Sequence, residues 1–258
     1  MSDAKILQVA KQAAVAGGAI ALRGWLSLDR KTVGYKKNAE LVTKFDVASE
    51  AKIRSIIKQS FPDAYVVGEE KGTQGKTGEY QWYVDPIDGT TNFTIHSPEY
   101  SVSIGVYKNG VPEVGVVYVP VTKELFWAVR GKGAYCNGKR IKVSTARTVG
   151  AAVIDFEFSH VKKFSAGILK WFEDLTRGGW KLRHFGSDAL SLCYVAAGRI
   201  EACVMAQAYP WDIAAGCLIA TEAGALFTDN KGKAVTDLQQ PMIACTPSMQ
   251  RKLLQALK

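Results

Sequence analysis

One stretch limits what this chain can fold into: Tyr83, Val84, Asp85, Pro86, Ile87, Asp88, Gly89, Thr90, Thr91, Asn92, an apolar run that ends on a carboxylate, adds a second, and passes into glycine and small hydroxyl residues. Pro86 pushes the residue before it toward extended geometry, so a strand is predicted to run up to Asp85. Pro86 also lacks an amide hydrogen and is expected to stop the pairing there. Asp88 follows at a turn where its carboxylate can converge with that of Asp85, and the Ile87 carbonyl between them has no evident ladder partner. Hard cations such as magnesium take such oxygen ligands. Gly89 lets the backbone come close to a ligand, and Thr90, Thr91 and Asn92 can open a helical turn whose free amides bind an oxyanion. The stretch points to a metal held beside a phosphate.

Two carboxylates are too few for such a site, and further acids stand at other element ends. Glu69 and Glu70 close the short strand "DAYVVGEE", Asp212 opens a helix in "PWDIAAG", and Asp46 follows "LVTKF" at another helix start. Acids gathered from distant segments tolerate one another only where cations neutralise them. Each also has a structural reading. Asp46 completes a Thr43-x-x-Asp46 capping box, Asp212 suits an N-cap, and Glu69 and Glu70 could form a solvated strand end. Spacing excludes three other motifs. Counted from Asp85, an EF-hand would need oxygen ligands where Ile87 and His96 stand. There is no Walker sequence. The D-x-D-G-T of haloacid-dehalogenase phosphatases has one residue between its aspartates, whereas here there are two.

The 258 residues, 47% hydrophobic and 22% charged, suit one large domain or two closely joined halves. No apolar run reaches the roughly 20 residues of a membrane span. Lys11 and Gln12 interrupt a segment that could otherwise read as a signal peptide. Ile6, Val9, Ala10, Ala13, Ala14, Gly17 and Ala21 recur at helical spacing instead, so an amphipathic first helix and a cytoplasmic protein are expected. Cys136, Cys193, Cys203, Cys217 and Cys245 never form a CxxC pair, which argues against a disulfide framework or a zinc site. The net charge of +9 is spread along the chain with no finger, RNP or GXXG signature. Nucleic acid is therefore not the expected partner, and the basic field could draw small anions toward an acidic pocket.

Helical periodicity covers about 3–28 and 44–60, and the glycine-rich segment 72–80 reads as a mobile loop. From 99 to 130 come three apolar bursts, with Lys108, Asn109 and Gly110 as a hairpin signal between the first two, predicting an antiparallel meander. Beyond 146, strands "AAVIDF", "KLRHF", "IEACVMA" and "PMIACT" alternate with helices near 162–177, from 188, from 212 and from 247, as in an α/β half. The shift near 145 divides the chain into an N-terminal α+β half, 1–145, and a C-terminal α/β half, 146–258, that contributes Asp212.

"GEE" at 68–70, "WYVDPIDGTTNF" at 82–93 and "PWDIAAGCLIATEAG" at 210–224 resemble, in order and spacing, the inositol monophosphatase family. That family belongs to the lithium-sensitive, magnesium-dependent phosphatase superfamily, which also holds fructose-1,6-bisphosphatases and 3′-phosphoadenosine phosphatases. "GVVYVPVTKELFWAVRGKGAYCNGKRI" and "GSDALSLCYVAAGRIEA" extend the likeness over nearly the whole chain. The resemblance implies a layered αβαβα sandwich, usually a homodimer, with two to three Mg2+ per active site. Glu69, Asp85 and the Ile87 carbonyl match a first metal site; Asp85, Asp88 and Asp212 match a second; Glu69 matches a third, flanked by 72–80. Thr90 with Asp46 matches the pair that positions and deprotonates the attacking water, and the amides of Gly89 and Thr90 match the phosphate contacts. Gly186, Ser187 and Asp188, with Asp88 and Asp212, are the further substrate-binding candidates. The implied reaction is hydrolysis of a small sugar or polyol phosphate by metal-activated water, with no phosphoenzyme. Inositol-1-phosphate is the first expected substrate, followed by fructose-1,6-bisphosphate, histidinol phosphate and 3′-phosphoadenosine phosphates. The non-enzymatic alternative is an RNA-binding regulator on the same fold. Two positions depart from the inositol-type pattern. Met205 stands where a glutamate is common and reads as core; Asp188 stands where a small residue is usual and reads as a helix cap, or as a partner for a substrate hydroxyl or amine. His160 and His184 are expected to take no catalytic part.

Overall fold

The computed structural model describes residues 2–36, 41–157, 165–235 and 241–257. Along the chain run α1 (Asp3–Ser27), β1 (Gly34–Tyr35), β2 (Leu41–Val42), α2 (Lys44–Ser60), β3 (Tyr65–Gly68), β4 (Gly72–Gln74), β5 (Tyr80–Asp88) and α3 (Thr90–Thr94). There follow β6 (Ser101–Lys108), β7 (Val111–Val119), β8 (Glu124–Val129), β9 (Ala134–Cys136), β10 (Lys139–Ile141), β11 (Val153–Phe156) and α4 (Ser165–Arg177). The remainder is β12 (Lys181–Arg183), α5 (Asp188–Ala196), β13 (Ala202–Met205), α6 (Pro210–Glu222), β14 (Leu226–Asp229), β15 (Met242–Cys245) and α7 (Gln250–Ala256).

Among the described residues two large sheets and three helical layers result, beside a small antiparallel pair, β1-β2. α1 and α2 cover one face of an eight-stranded sheet of order β10-β9-β8-β7-β6-β5-β3-β4, burying the stripe Ile6, Val9, Ala10, Ala13 and Ala14 read from the sequence. α5 and α6 fill the space between that sheet and a five-stranded one of order β12-β11-β13-β15-β14. α4 and α7 close the far face. Strand β13 shows why the layers form: Cys203 and Met205 point into the middle core and Ala202 and Val204 into the outer one, the two-residue alternation of a strand buried on both sides. This is the layered αβαβα sandwich that was expected. All five cysteines are free.

The meander is β6-β7-β8, and Asn109 and Gly110 take positive φ, 51° and 79°, as a two-residue hairpin requires. Several expectations are corrected. Gly72–Gln74 of the supposed loop pairs antiparallel with β3, where Arg54 Nη2 donates to the Gly72 carbonyl at 2.6 Å. Pro86 does not end its strand, because a bulge takes up its missing donor and β5 continues to Asp88. The second sheet is mixed: β14, unforeseen, pairs antiparallel with β15, which is itself antiparallel to β13. A second Asn-Gly turn, Asn137-Gly138, makes the hairpin β9-β10 that went unread. The last helix begins at Gln250 rather than at Pro247. Residues 162–164 of the expected fourth helix lie outside the described residues.

Candidate active site

The bulge in β5 sets the first two carboxylates. Asp85 pairs with Ser103 and Asp88 with Ser101, so three steps on β5 oppose two on β6 and the strand is re-aimed. Both aspartates are buried, and Asp85 accepts the Ile87 amide at 2.9 Å. Gly89 then turns the chain at φ 91°, where a Cβ would stand 3.0 Å from the carbonyl oxygens of Glu99 and Gly186, so only glycine suits. The Thr90 hydroxyl lies 3.1 Å from the Ile87 carbonyl and 3.4 Å from Asp46 Oδ1, either of which can accept its proton. The Ile87 carbonyl, read as unpartnered, therefore has a donor in reach.

Distant segments converge on this turn. At the start of α2 the expected capping box forms: the Thr43 amide and hydroxyl donate to Asp46 Oδ2 at 2.8 and 2.5 Å, which leaves Oδ1 toward Thr90. Glu69 and Glu70 follow β3, and the Lys36 ammonium bridges them, 2.6 Å from each. Burial alone would lower the Lys36 pKa, but the two glutamates outweigh it and hold it raised. Beneath them the buried Glu50 pairs with Arg54 at 2.6 Å and accepts the amides of Glu70 and Lys71, fixing the strand end. α6 lies close on the first sheet because Gly105 and Gly115 are register partners; a Cβ at either would come within 2.6 Å of Ala214 or Ala215. Its first turn carries Asp212, which is not the N-cap. Pro210 starts the helix earlier, and Asp212 reaches back to accept the Tyr209 amide at 2.9 Å.

Nor does Asp188 cap its helix. Ser187 is the N-cap of α5, and Asp88 Oδ2 accepts from the Ser187 hydroxyl and from the Ala189 amide at 3.0 Å. The Asn92 side-chain amide adds a strap, donating to the carbonyls of Glu99 at 2.6 Å and Phe185 at 2.5 Å.

One cleft of about 190 Å3 thus gathers Glu69, Asp85, Ile87, Asp88, Gly89, Thr90, Gly186, Asp188 and Asp212. Asp46 and Ser187 stand behind its wall, acting through Thr90 and Asp88. Burial raises the Asp85 pKa well above the carboxylate range, with Glu69, Asp88 and Asp212 adding repulsion and a hydrogen bond joining Asp85 to Glu69. Burial pushes Asp88 up to about 7 against the opposing bonds from Ser187, Ala189 and Ser101, and Asp46 up to about 7 against its bonds from Thr43.

As the side chains stand, no three Asp, Glu, His or Cys groups among the described residues are drawn close enough to hold an ion; Asp85, Asp88, Asp212 and Glu69 each accept a donor from the chain. The chemistry of the donor set nevertheless fits a hard divalent cation. Carboxylate and carbonyl oxygens line the cleft without thiol or imidazole, and its buried acids repel one another, a repulsion such an ion would relieve.

The sequence profile of the inositol monophosphatase family matches residues 2–258. The chain belongs to this family. The family's name points to phosphatase activity, and the family is typically metal-dependent. The chain is 38% identical over 225 residues to a fructose-1,6-bisphosphatase/inositol-1-monophosphatase of Aquifex aeolicus, covering 87% of this chain and 85% of that protein. It is 37% identical over 256 residues to the Nus factor SuhB of Pasteurella multocida, covering 98% and 96% of the two. The crystal structure of the extragenic suppressor protein suhB from Bartonella henselae matches with a TM-score of 0.93 at 32% identity, covering 98% of each chain.

Glu157 and Tyr209 also line the cleft and were not foreseen. Glu157 directly follows β11, so the acid-after-strand signal that exposed Glu69 was present in "VIDFE" as well. Tyr209, Lys36 and Glu50 carried no such local signal, and Asn92, read as part of the turn after Gly89, was not foreseen as a strap. His184 touches the site at second hand, its Nδ1 3.2 Å from Glu157 Oε2. Met205 is fully buried in the core, as read, and His160 lies outside the described residues. Among the described residues no helix is long and apolar enough to cross a membrane.

Proposed function

We propose that this family member is a magnesium-dependent phosphomonoesterase of small sugar or polyol phosphates, with inositol-1-phosphate the first substrate to test. The observation that carries the reading is the Thr90 hydroxyl, set between Asp46 Oδ1 and the Ile87 carbonyl at the rim of a cleft whose acids come from separate segments. Glu69, Asp85, the Ile87 carbonyl, Asp88 and Asp212 would hold two to three Mg2+. Magnesium, when bound, supplies charge for the phosphoryl oxygens and acidifies water toward neutrality. The chain's own part is positioning and proton transfer. Asp46 Oδ1 takes the Thr90 proton, and the Thr90 oxygen, with Glu69, receives one from the attacking water. The turn at Gly89 brings the amides of Gly89 and Thr90 to the start of α3, where they hold phosphate oxygens while Gly186, Ser187 and Asp188 frame the leaving alcohol. Asp85 and Asp88 are buried and hydrogen-bonded, a setting that disfavours either as nucleophile, so water attacks phosphorus directly. In this reading the halves 1–145 and 146–258 meet at the cleft, and the enzyme is a lithium-sensitive cytoplasmic homodimer.

A second reading has one specific observation in its favour. Relatives as near as 38% identity are named Nus factors and not phosphatases, which suits a binding regulator on the same fold with RNA on its basic surface. Phosphate release discriminates. The purified chain with magnesium is offered inositol, fructose, histidinol and adenosine phosphates. Turnover of at least one, with solvent-labelled oxygen entering phosphate on the first turnover, is the expected result. Silence across the panel with salt-sensitive RNA retention favours the regulator, and unlabelled first-turnover phosphate overturns the water route.

A further inference from the structure

A second cavity, of about 490 Å3, runs along α6 and shares no lining residue with the cleft. Its origin is the close seating of the helix. Gly105 and Gly115 let α6 down onto β6 and β7, and two tyrosines of the same sheet face are left standing beside it, Tyr83 opposite Gly105 and Tyr107 two residues further along. Phe227 of β14 faces them, and Ile213 and Leu218 form the helical side. The volume falls within the range of about 300–1,000 Å3 that small ligands fill. Water in it meets mostly carbon and gains few hydrogen bonds, so an apolar body is favoured there.

The charged groups at its edge are already answered. Arg130 pairs with Glu113 at 2.9 Å, and Glu222 accepts the amides of Gly131 and Gly133, each at 2.7 Å. An anion would have to displace Glu113, and an amine would compete with two amides for Glu222. What is left unmatched is neutral. The Tyr83 and Tyr107 rings meet edge to face at 5.1 Å and 77°, and neither hydroxyl is hydrogen-bonded among the described residues. Burial raises the pKa of both, so they stay protonated and available as donors. Aromatic walls with free hydroxyl donors are complementary to a flat ring that carries acceptor atoms.

The cavity and the cleft share one helix. The first turn of α6 gives Asp212 to the cleft, while Pro210 and Ile213, on either side of it, line the cavity. We infer that this cavity is an effector site for a neutral heteroaromatic molecule, and that its occupancy alters metal binding by shifting the turn that carries Asp212. The site goes beyond the phosphatase reading; only its coupling rests on the assignment of Asp212 to metal.

The test uses the full chain without substrate. Two neutral bicycles, quinolin-2-one and quinazolin-4-one, are titrated calorimetrically beside their carboxylate and aminomethyl derivatives. At least one neutral bicycle is expected to bind with a Kd of about 1 mM or tighter, and about tenfold more tightly than its charged derivatives. Tyr107→Phe keeps the ring and removes the donor, and should weaken that binding about threefold to tenfold. Thr221→Trp, at an exposed position on the rim, should abolish it. Loss in either variant places the ligand in the cavity. Absent binding, a charged derivative that binds as well, or binding that both variants leave unmoved overturns the site. With the bicycle saturating, the Kd for magnesium should shift by about fivefold or more. Magnesium binding that ignores the bicycle overturns the coupling through α6. A chain that takes up no magnesium sinks the metal assignment of Asp212 and the coupling with it, while the bicycle titration still decides the cavity.

Discussion

The β5 wall of the cleft takes Asp85, Asp88, Gly89 and Thr90 from six consecutive residues, 85–90, whereas the opposite wall takes Glu157, Asp188 and Tyr209 from the ends of β11, α5 and α6. On the first wall both aspartates accept from the chain: Asp85 from the Ile87 amide, Asp88 from Ser187 and Ala189 at the start of α5. On the second, Asp188 Oδ1 has no donor among the described residues. The difference separates two tasks. A wall shared by all phosphate esters can be written as a short, strained turn; a wall that meets a particular leaving group is assembled by tertiary packing and can vary without disturbing the turn.

The largest expected effect comes from breaking the first wall. Asp88→Asn keeps an oxygen for the Ala189 amide but loses the charge, so magnesium-dependent phosphate release should fall by about three orders of magnitude or more. Thermal melting of the metal-free protein should not drop, because a buried carboxylate in a crowd of like charges has been removed. Activity retained at ordinary magnesium would contradict the assignment of Asp88. Cutting the strap between the walls has a smaller effect. Asn92→Ala strips donors from two carbonyls, Glu99 and Phe185, and should lower stability by about 1–3 kcal/mol and loosen the 185–188 segment, read as faster amide exchange at Ser187 and Asp188. Unchanged exchange would show that the second wall stands without the strap.

The smallest effect is a pH dependence. Asp88 and Asp46 are pushed up to about 7 from an ordinary 3.8, so the stability they contribute is present at low pH and lost as pH rises through 7. The metal-free protein should therefore melt higher at about pH 5.5 than at pH 8, by a few degrees for a chain of this size. Magnesium at pH 8 should recover the difference, because it neutralises the same carboxylates. Melting that rises with pH in the metal-free protein would place the burden on other groups.

Much of the first wall was legible because its signals are local. Pro86, the paired aspartates and the glycine after them restrict one another within a few bonds, and the acids at the ends of β3 and α6 follow apolar runs that announce themselves. The α1 stripe, the capping box at Thr43 and the Asn109-Gly110 hairpin were readable for the same reason. What escaped depends on partners far along the chain. Lys36 becomes a site residue only because β3 ends beside it, and Asn92 only because Phe185 passes overhead. Ser187 displaced Asp188 as the cap of α5 because a residue nearly a hundred positions away, Asp88, anchors that turn. Pro86 was read as a stop since a missing donor usually ends a ladder; a one-residue bulge removes the need for it. The mixed second sheet was missed because β14 is a short strand with no alternation of burial to mark it.

The central claim is that acids brought together from β3, β5 and α6 act only when divalent cations cancel their repulsion. The direct measurement is phosphate release from inositol-1-phosphate and p-nitrophenyl phosphate by the purified chain, with excess chelator and then with magnesium restored. The account predicts no release under chelator and full recovery on adding magnesium. Hydrolysis indifferent to chelator would contradict it.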